Sequence, residues 1–153
     1  MLTHYFTLQA LARDFDEKLR NATIQQIFTQ QRNELLICCR TETGARTLCV
    51  SCDPKPNYIF LRDSVARAKR NSVDLFDDAL SQRIVGIIVY PHDRILQIKL
   101  ENKSSLHFQA FGMMANVLLV DEENRIADSF KRKREFVGKP FEAFTDLIFT
   151  KLR

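Results

Sequence analysis

The spacing of apolar residues changes from helical to alternating near residue 21, and that switch limits what the chain can fold into more than any other feature. Before it, Leu8, Leu11, Phe15 and Leu19 recur at spacings of three and four, opposite Gln9, Arg13, Asp16 and Lys18. This predicts one amphipathic helix, stopped at Asn21. After it, the β-rich stretches ATIQQIF, NELLICCR, ARTLCVS and NYIFLR are separated by turn residues at Gln31 to Asn33, Thr43-Gly44 and Pro54 to Pro56. They predict a meander of short antiparallel strands. A second helix is expected from Ser72, a suitable N-cap, with Val73, Phe76, Ala79 and Leu80 as its stripe. A second meander follows over Arg83 to Tyr90, Arg94 to Glu101, Leu106 to Phe111, Asn116 to Asp121 and Ile126 to Phe130. The spacing of Phe141, Phe144, Ile148 and Leu152, with Pro140 at the first helical position, predicts a last helix.

Helix, strands, helix, strands is an α+β order rather than the alternation of a parallel sheet. It predicts an antiparallel β-sandwich or flattened barrel flanked by helices. At 153 residues the chain suits one core. Residues 1–138 are expected to form that domain, and residues 139–153 a helix leading into further domains. Hydrophobic residues at 45% and charged residues at 27% exclude a disordered or low-complexity chain. No apolar run approaches the roughly 18 residues of a membrane span. Acidic residues interrupt the start MLTHYFTLQALARDFDEKLR, so no signal peptide is read there. A cytoplasmic protein with no membrane partner is expected.

Sites for chemistry are few. Cys49 and Cys52 form a Cys-x-x-Cys, with Cys38 and Cys39 nearby. Adjacent strand residues point to opposite faces, so Cys38 and Cys39 cannot converge easily on one ion, and all four sulfurs are read as packing atoms. His4, His92 and His107 lie in different elements without metal-ligand spacing. No strand-turn nucleophile motif and no phosphate-cradling glycine loop is present among the four glycines. The expectation is a protein that is not an enzyme and uses no metal or cofactor.

The charge carries more information. A net +4 and a pI near 9.0 permit an anionic partner. Arg62, Arg67, Lys69 and Arg70 cluster before the expected second helix, and Lys131, Arg132, Lys133 and Arg134 form an unbroken basic run after the last strand. Clusters of this kind neutralise phosphates, or simply form a solvated face. Asp93 and Arg94 sit in the turn YPHDR, where nothing in a core requires them. Arg94 offers a planar fork for a base or phosphate, and Asp93 an acceptor that reads a base edge or orients the Arg. The alternative is a turn-stabilising Asp beside a solvated Arg.

Four stretches in order, TLQALARDFDEKLRNATIQQIFTQQRNELLI, RAKRNSVDLFDD, the Asp93-Arg94 turn and FGMMANVLLVDEENRIADSFKRK, together resemble the NFACT amino-terminal domain over roughly residues 1–138. That family was long labelled fibronectin- or fibrinogen-binding and is understood as ribosome-associated quality-control factors. The resemblance implies a fold similar to the first domain of Fpg/Nei DNA glycosylases. Those enzymes use an amino-terminal proline followed by Glu, whereas Leu2 and Thr3 stand here, so the lyase chemistry does not carry over. It further implies an RNA-binding module that recruits tRNA to a large ribosomal subunit carrying stalled peptidyl-tRNA, for template-free tailing of the nascent chain. The family's Asp-Arg turn maps onto Asp93 and Arg94 as a tRNA contact. A second family region maps onto the loop after Phe111, where only Gly112 and Asn116 fit its pattern and Met113, Met114 and Ala115 replace its basic and hydroxyl positions. Gly112, Asn116, Arg67, Lys69, Arg70 and Lys131 to Arg134 are therefore secondary candidates for RNA contact.

Three function classes follow: this RNA-binding module, a fibronectin- or fibrinogen-binding interaction module, and a glycosylase-like DNA-binding enzyme. Salt-dependent tRNA binding separates the first from the second, and borohydride trapping on abasic DNA tests the third.

Overall fold

The structure is a computed structural model that describes residues 4–142. Helix α1 (Tyr5–Leu19) buries Leu8, Ala12, Phe15 and Leu19, with Leu11 partly covered at the rim of the stripe. The His4 ring caps its start by accepting from the Phe6 N–H, and Asn21, just past its end, takes a φ of 73°. Asn is among the residues that adopt this left-handed conformation most readily, which makes it an effective stop.

Strands β1 (Thr23–Gln31), β2 (Glu34–Thr41), β3 (Gly44–Cys52) and β4 (Asn57–Arg62) form the first meander. A two-residue strand β5 (Val73–Asp74) joins it on the far side of β1, giving the order β4-β3-β2-β1-β5. Strands β6 (Ile84–Val89), β7 (Ile95–Leu100), β8 (Ser105–Gln109), β9 (Asn116–Val120) and β10 (Ile126–Ser129) form the second sheet, in the order β10-β9-β8-β7-β6. Every pairing between these strands is antiparallel.

The sheets face each other across one core. Ile24, Ile37, Leu48 and Val50 of the first sheet share a cluster with Ile87, Ile98, Phe108 and Leu119 of the second. They are tied at one corner, where residues 21–24 exchange backbone hydrogen bonds with residues 81–84, but they do not close into a barrel. Strand β6 breaks strict alternation because a register shift lies between Ile84 and Gly86, which turns Ile87 inward and leaves Ile88 outside. Helix α1 lies along β6, and the Asp16 carboxylate accepts from the Ile87 N–H at 2.8 Å. An edge that would otherwise offer unpaired amides is thereby covered.

The expected helix from Ser72 is not formed. Val73 and Asp74 pair with Thr29 and Phe28, Phe76 has a φ of 56°, and only Asp77–Ala79 makes a 3₁₀ turn. Phe76 and Ala79 are nonetheless buried, because a 3₁₀ turn also places residues three apart on one side. At the other end Pro140 forms a bridge with Arg125, and the Phe141 N–H donates to the Asn124 carbonyl, so the chain is extended there rather than helical. The rest of the helix expected over Pro140 to Leu152 falls outside the described residues. Within the basic run, Lys133–Phe136 forms a short helical turn, α2.

Each sheet also has a covered outer face. On the first, Phe28, Leu36 and Cys49 lie under the segment after β4, through Val65 and the Arg67 guanidinium 4.5 Å from the Phe28 ring. On the second, Ile95, Leu118, Val120 and Ile126 lie with Phe141, Tyr90, Phe111 and Phe136.

Candidate nucleic-acid interface

Strand direction decides which loops meet. The β6–β7 turn, the β8–β9 loop and the segment leaving β10 all emerge at the same end of the second sheet, because alternate connections of an antiparallel meander share an end. The first turn of α1 lies there too, since the Tyr5 ring stacks on His92. Asp93 and Arg94 are thus brought next to the loop that holds Gly112, whose Met114 carbonyl is reached in turn by Arg132 of the basic run. A concavity of about 380 Å³ is lined by His92, Asp93, Arg94 and Phe111.

The two members of the Asp-Arg pair differ. Asp93 is 8% exposed and its carboxylate accepts from the Arg94 N–H at 2.9 Å, so it shapes the turn. This corrects the expectation of two charges displayed together at an exposed tip. The Arg94 side chain is exposed and has no side-chain partner among the described residues, while its carbonyl accepts from Ala110 and ties the turn to the neighbouring loop. His92 takes a φ of 59°, which turns its ring outward beside Tyr5.

Gly112 has a φ of 63° and is clamped by Asn57, which accepts from its N–H at 2.7 Å and donates to its carbonyl at 3.1 Å. The backbone of the loop is fixed, and Met113 and Met114 stand outside at 81% and 51% exposure. Asn116 is fully buried. Its amide donates to Ser129 Oγ and the Lys131 carbonyl, and its oxygen accepts from the Val117 and Lys131 N–H groups. Asn116 therefore holds the start of the basic run in place, and its burial removes it from the candidates for direct RNA contact.

The basic clusters divide in the same way. Lys131 reaches the Cys52 carbonyl at 3.5 Å. Arg132 donates to the Met114 carbonyl at 3.1 Å and lies over Phe136, and Lys133 pairs with Asp128 at 3.4 Å. Arg134 is exposed. Arg67 lies on Phe28, bonds Ser72 and pairs with Asp74 at 2.7 Å, so it serves the cover of the first sheet. Lys69 and Arg70 are exposed on the same covering segment. Of the turn and the two basic clusters, the exposed cations without an ion pair among the described residues are Arg94 and Arg134 on the second sheet and Arg62, Lys69 and Arg70 on the first.

The sulfurs sort by face. Cys39 and Cys52 lie in the shared core, whereas Cys38 and Cys49 lie on the outer face of the first sheet, and all are free thiols. Burial pushes the Cys39 and Cys52 thiols up to about 12 and Cys49 to about 11. A thiolate that could ligate or attack is disfavoured at each. His107 is buried on the outer face of the second sheet, with Gln97 at 3.0 Å and the Phe141 ring edge-on at 4.4 Å; burial lowers its pKa to about 4.

Sequence reasoning missed Asn57, His92 and Phe111 as parts of this end. Asn57 was readable as a polar residue opening an apolar strand, but its partner lies 55 positions away.

No curated protein matches this sequence. Among solved structures, the chain is similar to the N-terminal domain of fibronectin-binding protein PavA from Streptococcus pneumoniae, with a TM-score of 0.74 and 21% identity over 90% of this chain and 60% of that one. It is similar also to the N-terminal part of the fibronectin/fibrinogen-binding protein from Streptococcus suis, with a TM-score of 0.77 and 19% identity over 90% and 59%. The fibrinogen binding protein from Staphylococcus aureus gives a TM-score of 0.70 and 20% identity over 89% and 55%. At these identities the likeness speaks for the fold, and the chain spans less than two thirds of each neighbour. The family described as NFACT N-terminal and middle domains matches residues 4–139, most of the chain, and this protein belongs to that family.

Proposed function

We propose that this chain is a non-catalytic, cytoplasmic RNA-binding module of a ribosome-associated quality-control factor. It takes hold of tRNA at a large ribosomal subunit carrying stalled peptidyl-tRNA, in support of template-free tailing. The observation that carries this reading is the exposed Arg94, whose guanidinium has no side-chain partner among the described residues and lines a concavity with His92 and Phe111. An unpaired guanidinium beside aromatic rings suits the phosphates and unstacked bases of an RNA loop. Family membership supports the same reading. The free cysteines fit a reducing compartment.

The test is tRNA binding by the purified chain at two salt concentrations. Arg94→Ala should lose about 1–3 kcal/mol of binding free energy. Arg134→Ala should lose less and mainly flatten the salt dependence. Normal affinity in a folded Arg94→Ala variant would remove the site. The names of the structural neighbours favour a second reading, binding of fibronectin or fibrinogen. Binding of either protein with no salt-dependent tRNA affinity would put that reading first.

A further inference from the structure

The first turn of α1 carries aromatic surface that the fold does not use. The buried stripe of this helix is Leu8, Ala12, Phe15 and Leu19, yet Phe6 stands on the opposite side at 68% exposure. Its ring is 5.6 Å from His4 and 5.3 Å from Tyr5, and Tyr5 lies within 6.4 Å of His92 at an interplanar angle of 18°. His92 in turn lines the concavity with Arg94 and Phe111. The result is a row of rings, Phe6, Tyr5 edge-on to it, and His92, that ends at a guanidinium with no side-chain partner among the described residues. Its backbone is held at both ends, by the His4 cap on the helix and by the Asp93-braced turn.

Resting on the RNA-binding reading above, we infer that this row is a stacking track for unpaired bases, which carries a single-stranded segment from Arg94 onto the N-terminal turn of α1. Base–aromatic stacking needs exposed ring faces on a rigid support and tolerates any sequence, while a cation beside the rings holds the backbone. Phe6 and His92 are the exposed rings, with the half-buried Tyr5 joining them on the helix, and Arg94 is the cation. The one carboxylate in the turn, Asp93, is buried against the backbone, so the surface at this end of the row offers a cation to the phosphates. A duplex has no free base faces, so the track discriminates in favour of loops and single strands.

The experiment uses the whole chain and a short single-stranded RNA carrying 2-aminopurine, whose emission falls on stacking, with the duplex of the same sequence alongside. Phe6→Ala should weaken single-strand binding about ten-fold, restore the emission, leave the salt slope unchanged and leave duplex binding as it was. Phe6→Trp should keep affinity and quenching, which separates loss of stacking from loss of fold. Unchanged affinity and quenching in both Phe6→Ala and His92→Gly, with Arg94→Ala still weakened, would overturn the track and leave RNA binding standing. Failure of the parent chain to bind RNA even at low salt would overturn both.

Discussion

The two sheets are built alike, each with five antiparallel strands, yet they cover their outer faces by different chemistry. The first uses a polar strap. Gln30 donates to the Ala66 carbonyl and accepts from the Ala68 N–H, and Arg67 lies across Phe28 while pairing with Asp74. The second uses an aromatic plug, Phe141 against His107, Ile95 and Leu118, with Asn124 bonded to the Phe141 backbone. The strap consumes a cation that the sequence displays as part of a basic cluster. The plug leaves charges at its sheet's end exposed, and Arg94 is the clearest of them. Charge clusters in a sequence are therefore divided between holding the fold and lying exposed on it.

The largest effects should come from the aromatic residues under each cover. Phe28→Ala and Phe141→Ala should each cost about 3–5 kcal/mol if both covers are packed as interiors. Urea melts of the two variants measure this. A loss below about 1 kcal/mol at either position would show that cover to be dispensable and would break the parallel between the sheets.

The two sheets should also differ in how they respond to pH. His107 has a pKa lowered from 6.5 to about 4 by burial, so the unfolded chain takes up a proton between those values that the folded chain refuses. Stability should fall as pH drops through that window, by up to about 3 kcal/mol. Melts of the parent and His107→Gln from pH 7 to 4 check it, with a shallower slope expected in the variant. On the first sheet the raised thiol of Cys49 acts on the opposite limb: the unfolded chain loses that proton from about pH 9 upward, the folded chain only near 11, and stability falls between them.

A smaller effect separates the two halves of the turn. Asp93→Ala should cost about 1–2 kcal/mol by releasing the Arg94 N–H in a buried turn. Arg94→Ala should stay within about 0.5 kcal/mol, because its side chain is exposed. If Asp93→Asn recovers both stability and tRNA affinity, the aspartate positions the turn without touching RNA. Equal losses of stability in the two alanine variants would show that Arg94, too, is part of the fold. The smallest expected effect is none. Excess chelator with reductant should leave Tm unchanged, since the four sulfurs lie two on each face of the first sheet. Stoichiometric zinc with unfolding on its removal would show a metal site.

Short-range pattern was enough for α1 and nine of the strands, because burying one face imposes a period of 3.6 or 2 on the local sequence. It failed at Phe76, whose left-handed backbone no spacing reveals, and at Phe141, whose backbone bonds Asn124 and whose ring plugs the second sheet; the rest of that expected helix lies outside the described residues. The site was legible in types and only partly in roles. The turn YPHDR marks Arg94, and the ordered motifs mark the family, since both are properties of adjacent residues. Which charges face outward was settled by tertiary contacts. Asn116 meets Lys131 across 15 positions and Asn57 meets Gly112 across 55. Arg67 is drawn onto Phe28 by a ring from another strand. A sequence fixes which residues carry polar groups, but the partner that satisfies each buried one comes from whatever the fold brings beside it. That is why Asn116 and Arg67 belong to the architecture and the Arg94 side chain is left exposed.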